Sequence, residues 1–381
     1  MQFVYQACQS LAENDLDVTL VAGRGPDIPA AWSGPSLPGQ PHASTLSRPA
    51  GRQGWLGRGQ LREALQLARN HDVVHLHGPW DLGNVRLAHR LFQSGIPYVV
   101  SVHGMLDDWS LQQKPTKKQV FLKLFVNRLL RRAAVVHCTA QAEMEQVSKH
   151  VPGLTRVECV VPIVDLPDEA TVSEVPRNLV YEQFPQVQRD STKLLFLSRI
   201  HVKKGLESLL DAMQLIKKRH PSIQLLMAGP GDAAYVESLK QRAADRDVAD
   251  VVIWMDMVRE PLKSALFLES TVFVLPTFQE NFGIVLVEAM ALGLPVVTTT
   301  GTDIHREIAD GGAVISGNRA EELAASIVDL VSDPQRMAQR ANQGKRYVRE
   351  WLDEDHVVAQ FASMYEQANR QSCQAVDPPT Q

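Results

Sequence analysis

The chain has 381 residues, of which 44% are hydrophobic and 22% are charged, and its formal net charge is −4. This length exceeds the usual span of one hydrophobic core, so we expect two domains. The slightly negative charge excludes a general affinity for nucleic acid, and no apolar run is long enough to cross a bilayer. Four cysteines without metal or redox spacing, and no secretory signal after Met1, predict a cytoplasmic protein with reduced thiols.

The first part of the chain predicts strands that alternate with helices. A helix over 3–13 and a strand over 18–22 precede a loop over 23–52 that contains six prolines. The alternation then runs as strand 73–77, helix 82–94, strand 98–102, helix 116–132, strand 134–137, helix 140–149 and strand 156–161. Apolar strands in this arrangement indicate a parallel sheet that is covered on both faces.

The alternation stops at 166–191, where prolines and polar residues are frequent. We interpret this stretch as a linker between a domain over 1–165 and a domain over 192–352, with a helix over 355–369 completing the first domain. The second domain repeats the pattern, with strands at 193–198, 223–228, 250–254, 271–275, 295–298 and 313–315 separated by helices. Such doubly wound α/β domains bind ligands at the carboxyl ends of their strands.

Two cations follow the first strand of the second domain. Arg199 comes directly after the apolar run that ends at Ser198, and Lys204 lies five residues later, just before a helix. The Arg side chain offers a fork of donors that suits a diphosphate, and Lys offers a point charge. Solvated loop cations are the alternative interpretation, but the carboxyl edge of the sheet favours a ligand.

A second motif combines a phosphate site with carboxylates. A buried strand ends at Leu275, a polar loop follows, and a helix begins at Gly283. The free N–H groups at the start of a helix attract phosphate, and the carboxylates of Glu280 and Glu288 accept hydrogen bonds from sugar hydroxyls. Isolated glutamates in such positions are usually solvated, but together with Arg199 and Lys204 they predict a nucleotide-sugar site.

These motifs resemble the large retaining glycosyltransferase family 4, also called glycosyl transferases group 1. The resemblance is carried by Arg199…Lys204-Gly205, Gly229-Pro230-Gly231 and Glu280-Asn281-Phe282-Gly283…Glu288, and more loosely by residues 99–104. It implies the B-type fold (GT-B) of two facing Rossmann-like domains. It also implies transfer from a UDP- or GDP-linked sugar to a glycan or lipid-linked acceptor in polysaccharide biosynthesis, with no metal or other cofactor.

The resemblance implies a role for each matched residue. Two are catalytic: Glu280 contacts the transferred sugar, and His103 lies near the reacting sugar carbon. The others bind the donor: Arg199 and Lys204 the diphosphate, Glu288 the ribose, and Asn281, Phe282, Gly283 and Ile284 the sugar and distal phosphate through their backbone.

The first domain departs from the family pattern. The family begins with a strand and a glycine-rich loop, whereas this chain starts within the helix that follows them, so we expect the first strand to be lacking. Two alternatives to a transferase remain open. One is a sugar-nucleotide epimerase of similar fold, and the other, because of the lacking strand, is a non-catalytic nucleotide-sugar-binding remnant. A nicotinamide dehydrogenase is disfavoured because no Gly-x-Gly-x-x-Gly follows an early strand.

Four histidines lie at or near strand ends in the first domain: His75, His77, His103 and His137. Such a cluster resembles a zinc site in composition, but no carboxylate is placed to orient the rings, so we predict no metal. We expect His77 and His103 to line the acceptor side and His75 to be a core residue.

Residues 109–142 contain no acidic residue but seven basic ones: Lys114, Lys117, Lys118, Lys123, Arg128, Arg131 and Arg132. Apolar residues are interleaved with them. An ordinary amphipathic helix that packs on the sheet explains this pattern. A basic surface over 114–132 that docks on anionic lipid at the inner face of the plasma membrane also explains it, and both interpretations remain open.

Overall fold

The computed structural model describes residues 2–22, 28–34, 38–46, 56–113 and 115–374. The chain divides into two compact units, Met1–Asp165 with Leu352–Gln381, and Leu166–Trp351. Strands in both units pair in parallel and are covered by helices, which confirms the predicted α/β class. None of the described helices has the length and apolar character that a membrane span requires.

The described residues of the first unit form six strands in two sheets. They are β1 (Thr19–Ala22), β2 (His42–Thr45), β3 (Val74–His77), β4 (Tyr98–Ser101), β5 (Val135–Cys138) and β6 (Val157–Cys159). β1 pairs with β2, and the other four form a parallel sheet in the order β3-β4-β5-β6. Among the described residues no strand joins the two sheets. β4 and β5 are buried along their whole length, which explains their continuous apolar sequence.

The helices of the first half connect these strands. They are α1 (Gln2–Glu13), α2 (Arg58–Ala68), α3 (Leu82–Gln93), α4 (Asp108–Gln112), α5 (Pro115–Phe121), α6 (Asn127–Arg132) and α7 (Gln141–His150). A π-helical segment, Leu122–Val126, joins α5 to α6, so the predicted helix over 116–132 is one continuous helical run. The buried Leu129 and Leu130 pack this run against the core of the sheet.

The second unit has one six-stranded parallel sheet. Its strands are β7 (Thr192–Leu197), β8 (Ile223–Ala228), β9 (Val252–Trp254), β10 (Val272–Leu275), β11 (Val296–Thr299) and β12 (Val314–Ser316). The spatial order is β12-β11-β10-β7-β8-β9. The chain therefore runs outward from β7 in one direction and from β10 in the other, and the order reverses between these two neighbours. In doubly wound sheets this switch point is where a ligand-binding crevice forms.

Nine α-helices of the described residues belong to the second unit. They are α8 (Glu169–Ser173), α9 (Leu179–Gln183), α10 (Leu206–Lys217), α11 (Ala233–Asp245), α12 (Leu262–Glu269), α13 (Ile284–Ala291), α14 (His305–Asp310), α15 (Ala320–Val331) and α16 (Pro334–Trp351). The stretch 166–191, which we interpreted as a linker, holds α8 and α9 and is grouped with this unit. Val180 of α9 is completely buried.

The last helix, α17 (Glu354–Gln374), returns to the first unit. Its apolar side chains Val357, Phe361 and Met364 are buried in one cluster with Val99 of β4 and Val135 of β5. Hydrophobic burial thus holds the end of the chain on the first sheet.

The prediction of one loop over 23–52 is wrong for the part that the structure describes. This part contains β2 and a 3-10 helix, Ala30–Ser33, and residues 23–27, 35–37 and 47–52 lie outside the described residues. Trp32 and Ala43 bury themselves against Cys8 of α1, so tertiary packing supports structure in a segment whose prolines suggested none. Helix α2 was also missing from the prediction.

Candidate active site

The residues 198–205, here called the cation loop, leave the sheet at the end of β7. They form a short 3-10 helix, Val202–Lys204, and turn at Gly205, whose φ is 67°. A Cβ atom at Gly205 would lie 2.1 Å from the carbonyl oxygen of Pro276, just after β10. Only glycine permits this approach together with a left-handed backbone, so the cation loop lies directly on the segment after β10.

That segment, residues 276–283, is here called the glutamate loop. The Lys203 carbonyl accepts hydrogen bonds from the Phe278 N–H at 2.8 Å and the Thr277 hydroxyl at 2.9 Å. The ammonium of Lys204 pairs with the carboxylate of Glu280, and the Lys204 side chain is only 4% exposed. The structure therefore brings together two residues that the sequence motifs place 76 positions apart.

A third loop, after β11, holds the backbone of Glu280 from both sides. The Glu280 N–H donates to the Gly301 carbonyl at 2.8 Å, and the Glu280 carbonyl accepts from the Asp303 N–H at 2.9 Å. The amide of Asn281 donates to the Asp303 carboxylate at 3.3 Å. The position of the Glu280 side chain is thus set by three strand ends of one sheet.

Helix α13 begins next to Glu280. Gly283 precedes it with φ 67°, and a Cβ atom there would lie 2.9 Å from Cδ1 of Leu286. The Phe282 ring is buried and stacks on Trp351 at 5.6 Å, so Phe282 offers its backbone to a ligand. Within the described chain the N–H groups of Phe282, Gly283 and Ile284 donate to no carbonyl. Free N–H groups at a helix start are suited to binding an anion.

The remaining residues predicted to bind the donor lie on the same elements. Arg199 is exposed and has no hydrogen-bond or ion-pair partner in the described chain, so its guanidinium is available to a ligand. Glu288 lies in the second turn of α13, and its Oε1 accepts from the ammonium of Lys263 on α12 at 2.7 Å. All the predicted donor-binding residues and Glu280 therefore belong to the loops and helix that follow β7 and β10.

His103 belongs to the first unit and lies in the turn after β4. Its φ is 54°, an uncommon value for a residue with a side chain. The next N–H, that of Gly104, donates to the buried carboxylate of Glu143, which also accepts from the Thr139 N–H at 2.6 Å. The His103 Nε2 lies 2.9 Å from Nδ1 of His77 at the end of β3. Glu143 thus supports the strained turn that presents His103.

The other histidines form a hydrogen-bonded chain whose direction can be assigned. The Val160 carbonyl can only accept, so Nε2 of His137 donates to it at 2.8 Å. His137 Nδ1 then accepts from Ser101 Oγ at 2.6 Å, and Ser101 accepts from Nε2 of His75 at 2.7 Å. His75 Nδ1 is left to accept from the Tyr365 hydroxyl of α17 at 2.9 Å. Both ring nitrogens of His75 and of His137 therefore have hydrogen-bond partners, and Ser101 joins the two rings. His75 is partly buried.

Removal from water keeps these rings neutral. Burial lowers the pKa of His137 to about 4 and that of His103 to about 2, with nearby histidines adding to the effect at His103. The pKa of His75 is held well below its ordinary value by the same cause. In the described part of the chain no group of three or more His, Cys, Asp or Glu residues is arranged to hold a metal ion.

Three residues that support the site were missed in the sequence: Glu143, Lys263 and Asp303. Each is a charged side chain on the loop or helix after a strand, and Glu143 and Asp303 are at most 5% exposed. For Glu143 and Asp303 the available signal is a charged residue within a few positions of the carboxyl end of a strand, but many solvated residues share it.

Two family models match consecutive parts of the chain. The model described as Glycosyltransferase Family 4 matches residues 2–166, and the model described as Glycosyl transferases group 1 matches residues 181–347. The chain belongs to this glycosyltransferase family. The motif-based resemblance is therefore confirmed.

The family contains curated relatives of moderate identity. The D-inositol 3-phosphate glycosyltransferase of Pseudarthrobacter chlorophenolicus is 30% identical over 285 residues, which are 72% of this chain and 65% of that protein. The phosphatidyl-myo-inositol mannosyltransferase of Mycolicibacterium smegmatis is 26% identical over 302 residues, 77% of this chain and 71% of that protein. The match to the first relative thus spans just under two thirds of its length.

Solved structures of glycosyltransferases show the same fold. Sucrose-phosphate synthase from Thermosynechococcus elongatus has a TM-score of 0.74 at 19% identity, over 96% of this chain and 92% of that one. Anabaena HepE, solved with UDP and glucose, has a TM-score of 0.73 at 18% identity, over 94% and 95%. The GT-B class of two Rossmann-like domains predicted for this chain is confirmed.

Proposed function

We propose that this chain is a retaining, metal-independent glycosyltransferase that moves a hexose from a UDP- or GDP-linked donor to a glycan or lipid-linked acceptor. One observation carries the proposal. The cation loop and the start of α13 follow β7 and β10, the two adjacent strands between which the sheet order reverses. The contact between Lys204 and Glu280 holds these two segments against each other at the place where such sheets bind nucleotides.

The arrangement suits the chemistry of glycosyl transfer. The bond between the sugar carbon and the diphosphate breaks, the diphosphate leaves with the electron pair, and the acceptor oxygen forms the new bond on the same face. The proton of the acceptor hydroxyl passes to the leaving phosphate. Arg199, Lys204 and the free N–H groups before α13 stabilise the growing negative charge, which supports catalysis without a metal. Glu280 lies beside them to contact the sugar.

The names of similar proteins support the donor and acceptor classes. HepE has been solved with UDP-glucose, and a relative is named a GDP-mannose-dependent mannosyltransferase. Two relatives act, by their names, on inositol phosphate or phosphatidyl-inositol acceptors. We therefore propose a role in the assembly of polysaccharide or lipid-linked glycan.

A donor screen followed by product analysis tests the proposal. UDP- and GDP-linked hexoses are first ranked by the thermal stabilisation that they give the full chain. The best donor is then incubated with and without a lipid-linked or glycan acceptor. The proposal expects slow hydrolysis alone and transfer with retained anomeric configuration when acceptor is present. An epimerised donor without acceptor would establish the epimerase instead, and binding with neither reaction would establish the non-catalytic remnant.

The helical run 115–132 presents a basic and apolar stripe to solvent, which supports a membrane-docking role. Val120 and Leu124 are 52% and 61% exposed, well above the usual burial of such residues. The basic residues on either side are exposed as well: Lys117, Lys123, Arg128 and Arg131. Lys114 lies outside the described residues. An apolar stripe between cations fits the interface of anionic lipid, and so we propose that this surface docks at the inner face of the plasma membrane.

Vesicle flotation tests the docking surface. The full chain should float with vesicles that contain anionic lipid at low salt, and the double variant Lys123→Glu/Arg128→Glu should float less because each cation adds about 1 kcal/mol near such a surface. Lys240→Glu/Arg219→Glu makes the same charge change on the second unit and should float like the wild type. Equal flotation of all three proteins would contradict the docking surface.

A further inference from the structure

Lys263 is the second residue of α12 and extends toward α13. Its ammonium lies 2.7 Å from Oε1 of Glu288 and 5.8 Å from the centroid of the Phe267 ring. The Lys263 side chain is 26% exposed and that of Glu288 is 16% exposed. The pair is therefore partly withdrawn from water, where an isolated carboxylate would be unfavourable.

The geometry of the pair leaves one carboxylate oxygen for a ligand. Lys263 occupies Oε1, whereas Oε2 of Glu288 accepts no hydrogen bond from the described residues. Lys263 also offsets a negative charge that would otherwise repel a diphosphate bound at the start of the same helix. A bond to one oxygen fixes the rotation of the carboxyl group, so the direction of the second oxygen is set as well.

We propose that Lys263 is a positioning residue for ribose recognition. It holds Glu288 so that Oε2 accepts a hydrogen bond from a ribose hydroxyl of the nucleotide. The inference rests on the proposed function, in which Glu288 contacts the ribose. Lys263 acts through Glu288 and does not contact the reacting atoms.

The second unit contains a matched control. Lys217, the last residue of α10, pairs with Asp250 at 2.7 Å, and its side chain is also 26% exposed. Asp250 is 65% exposed and precedes β9, so this pair lies at the amino ends of the strands. A change of Lys217 removes an ion pair of equal length with no expected consequence for the nucleotide.

The test measures how strongly the ribose hydroxyls contribute to binding. The full chain is titrated calorimetrically with UDP, with 2′,3′-dideoxy-UDP and with inorganic pyrophosphate, and the series is repeated with GDP and its dideoxy counterpart. Of UDP and GDP, the one that binds the wild type more tightly should also bind more tightly than its own dideoxy form. Lys263→Met should weaken ribonucleotide binding about tenfold or more, because a hydrogen bond to a charged group is lost, and should bring the two nucleotides close to equal affinity.

The remaining variants separate positioning from general stability. Lys263→Met should leave pyrophosphate binding nearly unchanged, Lys263→Arg should recover most of the ribose preference, and Lys217→Met should match the wild type. A Lys263→Met protein that keeps the wild-type ribose preference, or that loses affinity equally for both nucleotides, would overturn the inference while the proposed function stands. A wild type that binds neither UDP nor GDP would overturn the proposed function itself.

Discussion

The carboxyl edges of the two sheets carry different polar chemistry. In the second unit this edge holds charged side chains, with Lys204 paired to Glu280 and Lys263 paired to Glu288. In the first unit the corresponding edge presents neutral rings, with His103 bonded to His77 and His137 bonded to Ser101, and the carboxylate of Glu143 at this edge is buried. Both sheets are parallel, but the second unit presents an ionic edge and the first unit presents a neutral edge.

The difference matches the two kinds of group that a sugar transfer must handle. A diphosphate carries charge, and cations with free N–H groups bind it strongly. Sugar and acceptor hydroxyls are neutral, and neutral imidazoles can donate and accept hydrogen bonds with them. Burial lowers the pKa of His103 and keeps its ring neutral. The ionic edge therefore has the chemistry that suits the diphosphate of the donor we propose.

The largest expected effect comes from the ionic edge. Glu280→Ala should lower the rate of transfer about 100- to 1,000-fold, which is the usual cost of losing one preorganised polar group at the reacting centre. Binding of the free nucleotide should persist, because Arg199 and the helix start remain. Steady-state transfer kinetics and nucleotide titration measure the two effects, and Glu237→Ala, an exposed glutamate of α11, is the control. Full activity in Glu280→Ala would show that the sugar contact was assigned to the wrong glutamate.

The neutral edge should make the first unit sensitive to acid. Because burial lowers the pKa of His137 to about 4, the unfolded state binds more protons than the folded state below the ordinary histidine pKa of about 6.5. The stability is thus fully present above pH 6.5 and falls as the pH drops toward 4, by on the order of 3 kcal/mol for this one ring. Hydrogen exchange of the β4 and β5 amides against pH measures the loss.

A variant isolates the contribution of the ring. His137→Asn keeps a side chain that can donate to the Val160 carbonyl but does not titrate. The stability of this variant should therefore fall less than that of the wild type between pH 6.5 and pH 4. Identical slopes for the two proteins would mean that other groups cause the acid sensitivity.

A smaller effect tests how the two loops of the ionic edge fit together. Gly205 and Gly293 have φ values of 67° and 73°, but a Cβ at Gly205 meets the Pro276 carbonyl, whereas the nearest atom to one at Gly293 is Lys345 Cδ at 3.8 Å. Gly293→Ala should cost about 1 kcal/mol of unfolding free energy for the backbone conformation alone. Gly205→Ala should cost about 2 to 3 kcal/mol, because a steric clash is added. Chemical denaturation of both variants gives the comparison, and equal losses would show that the loop contact is unimportant.

Much of the second unit followed from its sequence. The run Leu194–Leu197 is apolar because β7 is buried on both faces, and the predicted strand over 223–228 coincides with β8. The site residues were also identifiable, since Arg199 and Lys204 directly follow one central strand and Glu280 follows another. A parallel sheet brings these strand ends to one edge without further information.

Other contacts arise only from tertiary packing. The pairing of Lys263 with Glu288 depends on how α12 lies beside α13, and Lys263 carries no local signal that separates it from a solvated lysine. The bond from Gly104 to Glu143 joins the turn after β4 to helix α7, which follows β5. In the segment 23–52, prolines suggested an irregular loop, whereas the burial of Trp32 and Ala43 supports a 3-10 helix and β2.

The most direct test of the account is calorimetric titration of nucleoside diphosphate into Arg199→Ala. Arg199 is exposed on the cation loop, and Arg219, exposed just after α10, is its control. If the cations after β7 and the free N–H groups before α13 bind one diphosphate, Arg199→Ala should weaken UDP or GDP binding about tenfold or more, and Arg219→Ala should have no effect. Equal affinity of the wild type and Arg199→Ala would contradict the shared diphosphate site.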